Sequence, residues 1–275
     1  MMYLLVLSLA TLGVSMNYTD YLARNISLPL SAALYSRNSS KCLQKRLKTS
    51  EVKEISVNVK GGSCSGLIAI LPQPPTVALA FNANISEPSN FTDFKELFFP
   101  LVEWQHEGNV SSFLKQAFEE LWIEGGMNGS FQQIMKEQRD KEILITGHSF
   151  GGGLAALIAY DIAKKELVKK DKVTLITLGQ SMVGDEDFAK AYEEQVKHSF
   201  RVVRRGDSIP HVPGRNKSYE YNGREVFYIK RGMKSDEFKI CEQDECSGNQ
   251  TNPIRAINND KYLGKNVTEY GMKCK

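Results

Sequence analysis

The sequence predicts an α/β fold, with a mostly parallel central sheet covered by helices on both faces. Three observations predict it. Apolar β-branched runs alternate with stretches of helical periodicity, one such run passes through a glycine-rich turn straight into an apolar helix, and the chain of 275 residues is 41% hydrophobic, enough for one large core.

Taken in order, residues Met1 to Ser15 hold the apolar run Tyr3 to Val14, which closes on small residues as a secretory signal peptide does. Residues 16–275 then read as a single domain. The alternation Ile55, Val57, Val59 predicts a strand, and Leu67 to Leu71 and Val77 to Phe81 predict two more, separated by Pro72, Pro74 and Pro75. From Val110 the apolar positions Phe113, Leu114, Ala117, Phe118 and Leu121 recur at helical spacing until Gly125-Gly126 ends the pattern. Glu142 to Thr146 is a β-branched run, and Leu154, Ala155, Leu157, Ile158 and Ile162 continue beyond the turn as an apolar helix. Val173 to Leu178, Phe200 to Val203 and Glu225 to Ile229 complete the predicted strands, with a polar helix over Glu186 to Val196 between the first two.

Composition narrows the setting. A net charge of +3 is too mild to indicate a nucleic-acid partner, and the lysines between Lys164 and Lys172 fall where a helix ends and its dipole favours cations. Ten Asn-x-Ser/Thr acceptors, at Asn17, Asn25, Asn38, Asn84, Asn90, Asn109, Asn128, Asn216, Asn249 and Asn266, far exceed the roughly two expected by chance and predict an exported glycoprotein. Five cysteines, Cys42, Cys64, Cys241, Cys246 and Cys274, fit an oxidising compartment and leave one thiol over. Cys241 and Cys246 would close a short ring, whereas Cys42 has Cys64 and Cys274 as alternative partners. No metal-ligand spacing is present, so neither a metal nor a cofactor is expected.

The chemistry gathers at Gly147-His148-Ser149-Phe150-Gly151-Gly152-Gly153, a G-x-S-x-G turn between strand and helix. This is the nucleophile elbow of α/β-hydrolases, whose tight turn demands small residues two before and two after the serine. Ser149 is the candidate nucleophile, and the backbone N–H of Phe150, at a helix N-terminus, is a candidate oxyanion donor. In this fold the acid and then the histidine follow the serine in sequence. Asp207, after a strand and in a loop stiffened by Pro210 and Pro213, is the candidate acid.

These residues resemble the class 3, or fungal-type, triacylglycerol lipase family, and within it secreted nematode-like members. The resemblance runs through Ala33 to Ser36, Cys42, Cys64 to Gly66, Gly108 to Trp122, Thr146 to Gly152, Thr177 to Gln180, Val183 to Asp185, Arg201 to Pro213, Gly223 to Tyr228 and Cys246-Ser247. It implies an α/β-hydrolase fold, a Ser-Asp-His triad acting on acylglycerols or other lipid esters, a lipid or lipid-ester ligand and peripheral contact with lipid surfaces. Ser149 and Asp207 carry over as nucleophile and acid.

Two departures bear on catalysis. The family's histidine lies in a segment resembling Asp-His-x-x-Tyr-Phe-Gly, which here reads Asn258-Asn259-Asp260-Lys261-Tyr262-Leu263-Gly264, so the base position holds Asn259. An amide does not take up a proton near neutral pH, and loss of the base from a working triad costs on the order of 10⁶ in kcat. The family's oxyanion loop resembles Phe-Arg-Gly-Thr, but here reads Phe81-Asn82-Ala83-Asn84, which keeps a backbone N–H at Asn84 inside a glycosylation acceptor. Asn90 lies in the stretch that resembles the family's lid, and the apolar Phe94 to Leu101 follow it. The sequence therefore predicts a secreted, lipase-like protein of lipid metabolism whose ester hydrolysis is impaired or lost and whose cleft binds lipid or protein. An active ester hydrolase with a substitute base, through His211 or a local shift of alignment near Asn259, is the alternative; His148 and His211 are otherwise read as structural, while His198 precedes a strand and His106 the long helix.

Overall fold

The computed structural model describes residues 17–85, 100–235, 237–241, 246–247 and 260–274. Expectations for the leader Met1 to Ser15, for Asn90, Asn249 and Asn259, and for the apolar run Phe94 to Phe99 lie outside the described residues.

The chain enters through α1 (Asp20–Leu22), a wider π-type turn (Ala23–Ser27) and α2 (Leu28–Ala33), then α3 (Ser39–Leu47). Three strands follow, β1 (Val52–Val59), β2 (Gly62–Leu71) and β3 (Thr76–Ile85). A small ladder, β4 (Leu101–Glu103) and β5 (Asn109–Ser111), precedes α4 (Ser112–Phe118) and α5 (Met127–Glu137). Alternation then sets in, with β6 (Glu142–His148), α6 (Phe150–Lys164), β7 (Val173–Leu178), α7 (Glu186–Gln195), β8 (His198–Arg204), β9 (Arg224–Tyr228) and β10 (Phe238–Ile240). A second small ladder, β11 (Lys261–Tyr262) and β12 (Lys265–Asn266), leads into α8 (Val267–Met272).

Eight strands form one sheet in the order β1-β2-β3-β6-β7-β8-β9-β10. The pairings from β3 to β9 are parallel, and antiparallel strands close both edges. Parallel strands must be covered on both sides, and here successive residues serve opposite cores. Val77, Leu79, Phe81, Ile143 and Ile145 pack with Phe118, Phe131, Leu157 and Tyr192 of α4 to α7. Ala78, Ala80, Leu144, Ile176 and Val202 pack instead with Leu28, Leu30, Leu43 and Val267 of α2, α3 and α8. Complete burial of Leu79 or Ile145 stabilises the fold by about 2 kcal/mol each on the usual area scale.

The expected strands are present, with β2 and β3 extending beyond the apolar runs through polar residues such as Ser63 and Asn82. The helix expected from Val110 to Gly125 is α-helical only over α4. It then widens to π geometry over Glu119–Glu124, where the Gly125 N–H donates to the Glu120 carbonyl at 2.8 Å. Two disulfides form, Cys42–Cys274 and Cys241–Cys246, so Cys274 rather than Cys64 is the partner of Cys42. Cys64 is the odd thiol, buried on β2, and burial pushes its pKa up to about 12. Among the described residues no helix is long and apolar enough to cross a membrane.

Candidate active site

Ser149 sits where β6 gives way to α6. Its backbone, at φ 58° and ψ −127°, lies in a region that non-glycine residues rarely occupy, at a cost of about 1–3 kcal/mol. The surroundings hold it there. Its N–H donates to the Leu178 carbonyl and its own carbonyl accepts from the Gly152 N–H, both at 2.9 Å. A Cβ on Gly147 would come 2.2 Å from the Gly151 carbonyl oxygen, and one on Gly151 would come 2.3 Å from that of Phe81. Both small residues of the elbow are thus required by backbone contact. The Phe150 N–H opens α6, at the positive end of its dipole. Asn84 lies near the end of β3, opposite Ser63, with an exposed side chain.

Asp207 follows β8, 2% exposed, in a turn where its own N–H donates to the Arg204 carbonyl. Its Oδ1 accepts from the Ile209 N–H at 3.0 Å, and its Oδ2 accepts from the Tyr262 hydroxyl in a short hydrogen bond. Tyr262 reaches this carboxylate because Gly179, just after β7, leaves room for the ring. A Cβ on Gly179 would lie 2.6 Å from the phenol oxygen, and Gly179 itself has φ 62°. Burial, with the Asp207 charge adding to it, raises the Tyr262 pKa well above the ordinary value and keeps the phenol a donor. Tyr262 is a site residue that sequence reading quoted only as part of a motif; the signal was a tyrosine three places after the base position.

All four histidines of the chain are described. His148 is buried, its Nδ1 pairs with the Tyr35 hydroxyl at 3.0 Å, its ring stands edge-on to Tyr262, and its Nε2 lies 3.9 Å from Asp260 Oδ1. Burial lowers its pKa to about 4, against a smaller opposing effect of Asp260, so the ring is neutral at pH 7. His211 is in the 3₁₀ turn Ile209–His211, with Nδ1 bonded to the Tyr221 hydroxyl at 2.7 Å. His106 pairs with the fully buried Asp161 of α6, which also accepts from Trp122, Gln105 and Lys165. His198 begins β8, where burial first and then the Arg224 charge lower its pKa. The Asp161 network was not foreseen, although a lone carboxylate within the apolar helix α6 was its signal. Among the described residues no group of His, Cys, Asp and Glu could hold a metal ion.

The sheet order, the strained serine between strand and helix, and the acid after a later parallel strand define an α/β-hydrolase. A model of the class 3 lipase family matches residues 78–217, just over half of the sequence, and this chain belongs to that family. Lipase ZK262.3 of Caenorhabditis elegans is 27% identical over 212 residues, covering 74% of this chain and 58% of that lipase. The Rhizopus niveus lipase is 28% identical over 176 residues, 61% of this chain and 41% of the relative. The chain thus spans about half the length of these two relatives. Among solved structures, the Rhizopus microsporus var. chinensis lipase superposes with a TM-score of 0.76 at 19% identity, over 94% of this chain and 91% of that one. The Rhizomucor miehei lipase in its propeptide complex also scores 0.76, at 21% identity, over 92% and 83% of the two chains.

Proposed function

We propose that this protein is a secreted, glycosylated lipase-like protein of lipid metabolism, a single domain after its leader, in which ester hydrolysis is impaired or lost and the cleft binds a lipid or a protein. Ser149 is its nucleophile position, Asp207 its acid, and the Phe150 and Asn84 N–H groups its oxyanion donors. One observation carries the reading. The Tyr262 hydroxyl docks on Asp207 and the neighbouring Asp260 lies beside His148, supporting a register in which Asn259 occupies the position of the base. An uncharged amide there cannot accept the serine proton, so Ser149 stays a weak nucleophile. Two disulfides support an oxidising compartment. Of the described glycan acceptors, Asn17, Asn25, Asn38, Asn84 and Asn216 are exposed. Asn109 is half-buried and its amide donates to Asp185 at 2.7 Å, so it is the acceptor least suited to a glycan.

A specific observation favours the second reading, an active ester hydrolase with a substitute base. The strained Ser149 backbone and both glycines that permit it are intact, and strain of this kind persists where it serves reaction. Fluorophosphonate labelling and short-chain ester turnover by the secreted protein decide between the two. The expected result is slight turnover that rises in Asn259→His, by up to about 10⁶-fold, and vanishes when Ser149→Ala is added. Substantial turnover by the unaltered chain, abolished by Ser149→Ala alone, overturns the impaired reading.

A further inference from the structure

Away from Ser149, the end of α3, the first helical turns, the β2–β3 turn and α8 enclose a groove of about 740 Å³. Arg46, Lys48, Gln73, Tyr21 and Tyr270 line it, and no carboxylate does among the described residues. The sequence around it is one-sided: Arg37, Lys41, Lys45, Arg46 and Lys48 fall in a stretch, Arg37 to Ser50, that holds no Asp or Glu.

Two arginines of this groove differ in a telling way. Arg24 has its anion: Nε and Nη2 donate to the two carboxylate oxygens of Asp20, the Leu263 and Met233 carbonyls accept further hydrogen bonds, and the bonds to Asp20 raise its pKa. Arg46 has none. Its guanidinium carbon lies 3.5 Å from the centroid of the Tyr270 ring and Nη2 donates to the Tyr270 carbonyl at 2.6 Å, while Nη1 is buried with no acceptor. Burial lowers the Arg46 pKa. Lys265 Nζ, 5.8 Å from the same ring, adds positive potential. Arg46 also opposes the dipole at the end of α3, a role that needs no hydrogen bond from Nη1. A half-buried guanidinium with no carboxylate partner has a planar fork that fits the oxygens of an oxyanion.

We infer that this groove binds a phosphate group, with the Arg46 guanidinium and the Lys48 ammonium as charged donors, Gln73 as a neutral one, and the Tyr21 and Tyr270 rings flanking whatever carries the phosphate. Two cations in the lining of one groove suit a group that bears close to two negative charges near neutral pH better than a carboxylate bearing one. A soluble phosphate ester and the headgroup of an anionic phospholipid share this chemistry. The inference is independent of any activity at Ser149.

The whole chain is titrated calorimetrically with inorganic phosphate at low salt, and sedimented with phosphatidylcholine vesicles that contain or lack phosphatidic acid. The unaltered chain and Asn25→Gln are compared throughout, because Asn25 is exposed on the groove wall, and binding by Asn25→Gln alone would show a glycan closing the groove in the secreted protein and overturn the site. Two variants are compared, each checked for folding by thermal unfolding. Arg46→Lys keeps the charge and loses the fork; Lys48→Asn removes an exposed charge while tolerating the left-handed backbone at φ 57°. Binding weakened about tenfold in both supports the site. Within that result, binding of inorganic phosphate without preference for phosphatidic acid vesicles identifies a soluble ligand, and preferential sedimentation with those vesicles identifies a lipid headgroup. No binding in either assay, or binding that neither variant weakens, overturns it.

Discussion

The turn that carries Ser149 and the short ladder that carries Tyr262 meet at the ring of His148, and they are held in different ways. The turn is made by neighbours in the chain: two glycines, a strand directly before and a helix directly after. The ladder is two residues per strand, held by partners far away in sequence, including the Tyr262 bond to Asp207 and the Arg24 bond to the Leu263 carbonyl. A locally determined element has few ways to change without breaking the fold. A segment held mainly by distant partners can exchange one side chain and leave the rest in place.

Four perturbations set these regions against each other. The largest effect belongs to the turn: Gly151→Ala places a methyl group against the Phe81 carbonyl and is expected to destabilise by about 4 kcal/mol or prevent folding, read from urea unfolding. Next comes the contact between the regions. Neutral His148 has a pKa of about 4 in the native state, against about 6.5 when unfolded, so between these values the unfolded chain binds more protons. Stability is therefore expected to decline as pH falls from 6.5 to 4, by on the order of 3 kcal/mol, with a flatter profile in His148→Gln. Unfolding midpoints at pH 7, 5.5 and 4 measure both.

On the ladder side, Tyr262→Phe removes one donor from a buried carboxylate and is expected to cost about 2 kcal/mol without loss of fold. Thermal unfolding checks it, and an unchanged midpoint would show that Asp207 does not depend on this hydroxyl. The smallest effect runs the other way. Ser149→Gly relieves the positive-φ strain and is expected to raise stability by about 1 kcal/mol, read as a higher thermal unfolding midpoint.

The same division governs what the sequence reveals. β6, the elbow and α6 are legible because each is specified by residues adjacent in the chain, and Asp207 is legible from its place after a strand. α2 was missed because all of Leu28 to Ala33 is buried, so no polar face marks a helical period. α5 was missed for another reason. Gly125-Gly126 reads as the end of the helical stretch, although Met127, Phe131, Ile134 and Met135 carry a further helical period and pack on the core. The Tyr262 contact with Asp207 spans 55 residues and needs the space left by Gly179, a coincidence of three distant positions that no local pattern announces.

The Cys42–Cys274 bridge joins residues 232 apart, so the whole sheet lies inside one covalent ring. Closing a ring of that size disfavours the unfolded chain by about 5 kcal/mol on the chain-entropy scale. Its consequence is unevenly distributed. The bridge anchors the tail just after α8, which leads back to the Tyr262 ladder, whereas the Ser149 turn lies between β6 and α6 in the middle of the ring. With the bridge reduced, fraying from the tail is expected to reach the Tyr262 ladder before the Ser149 turn.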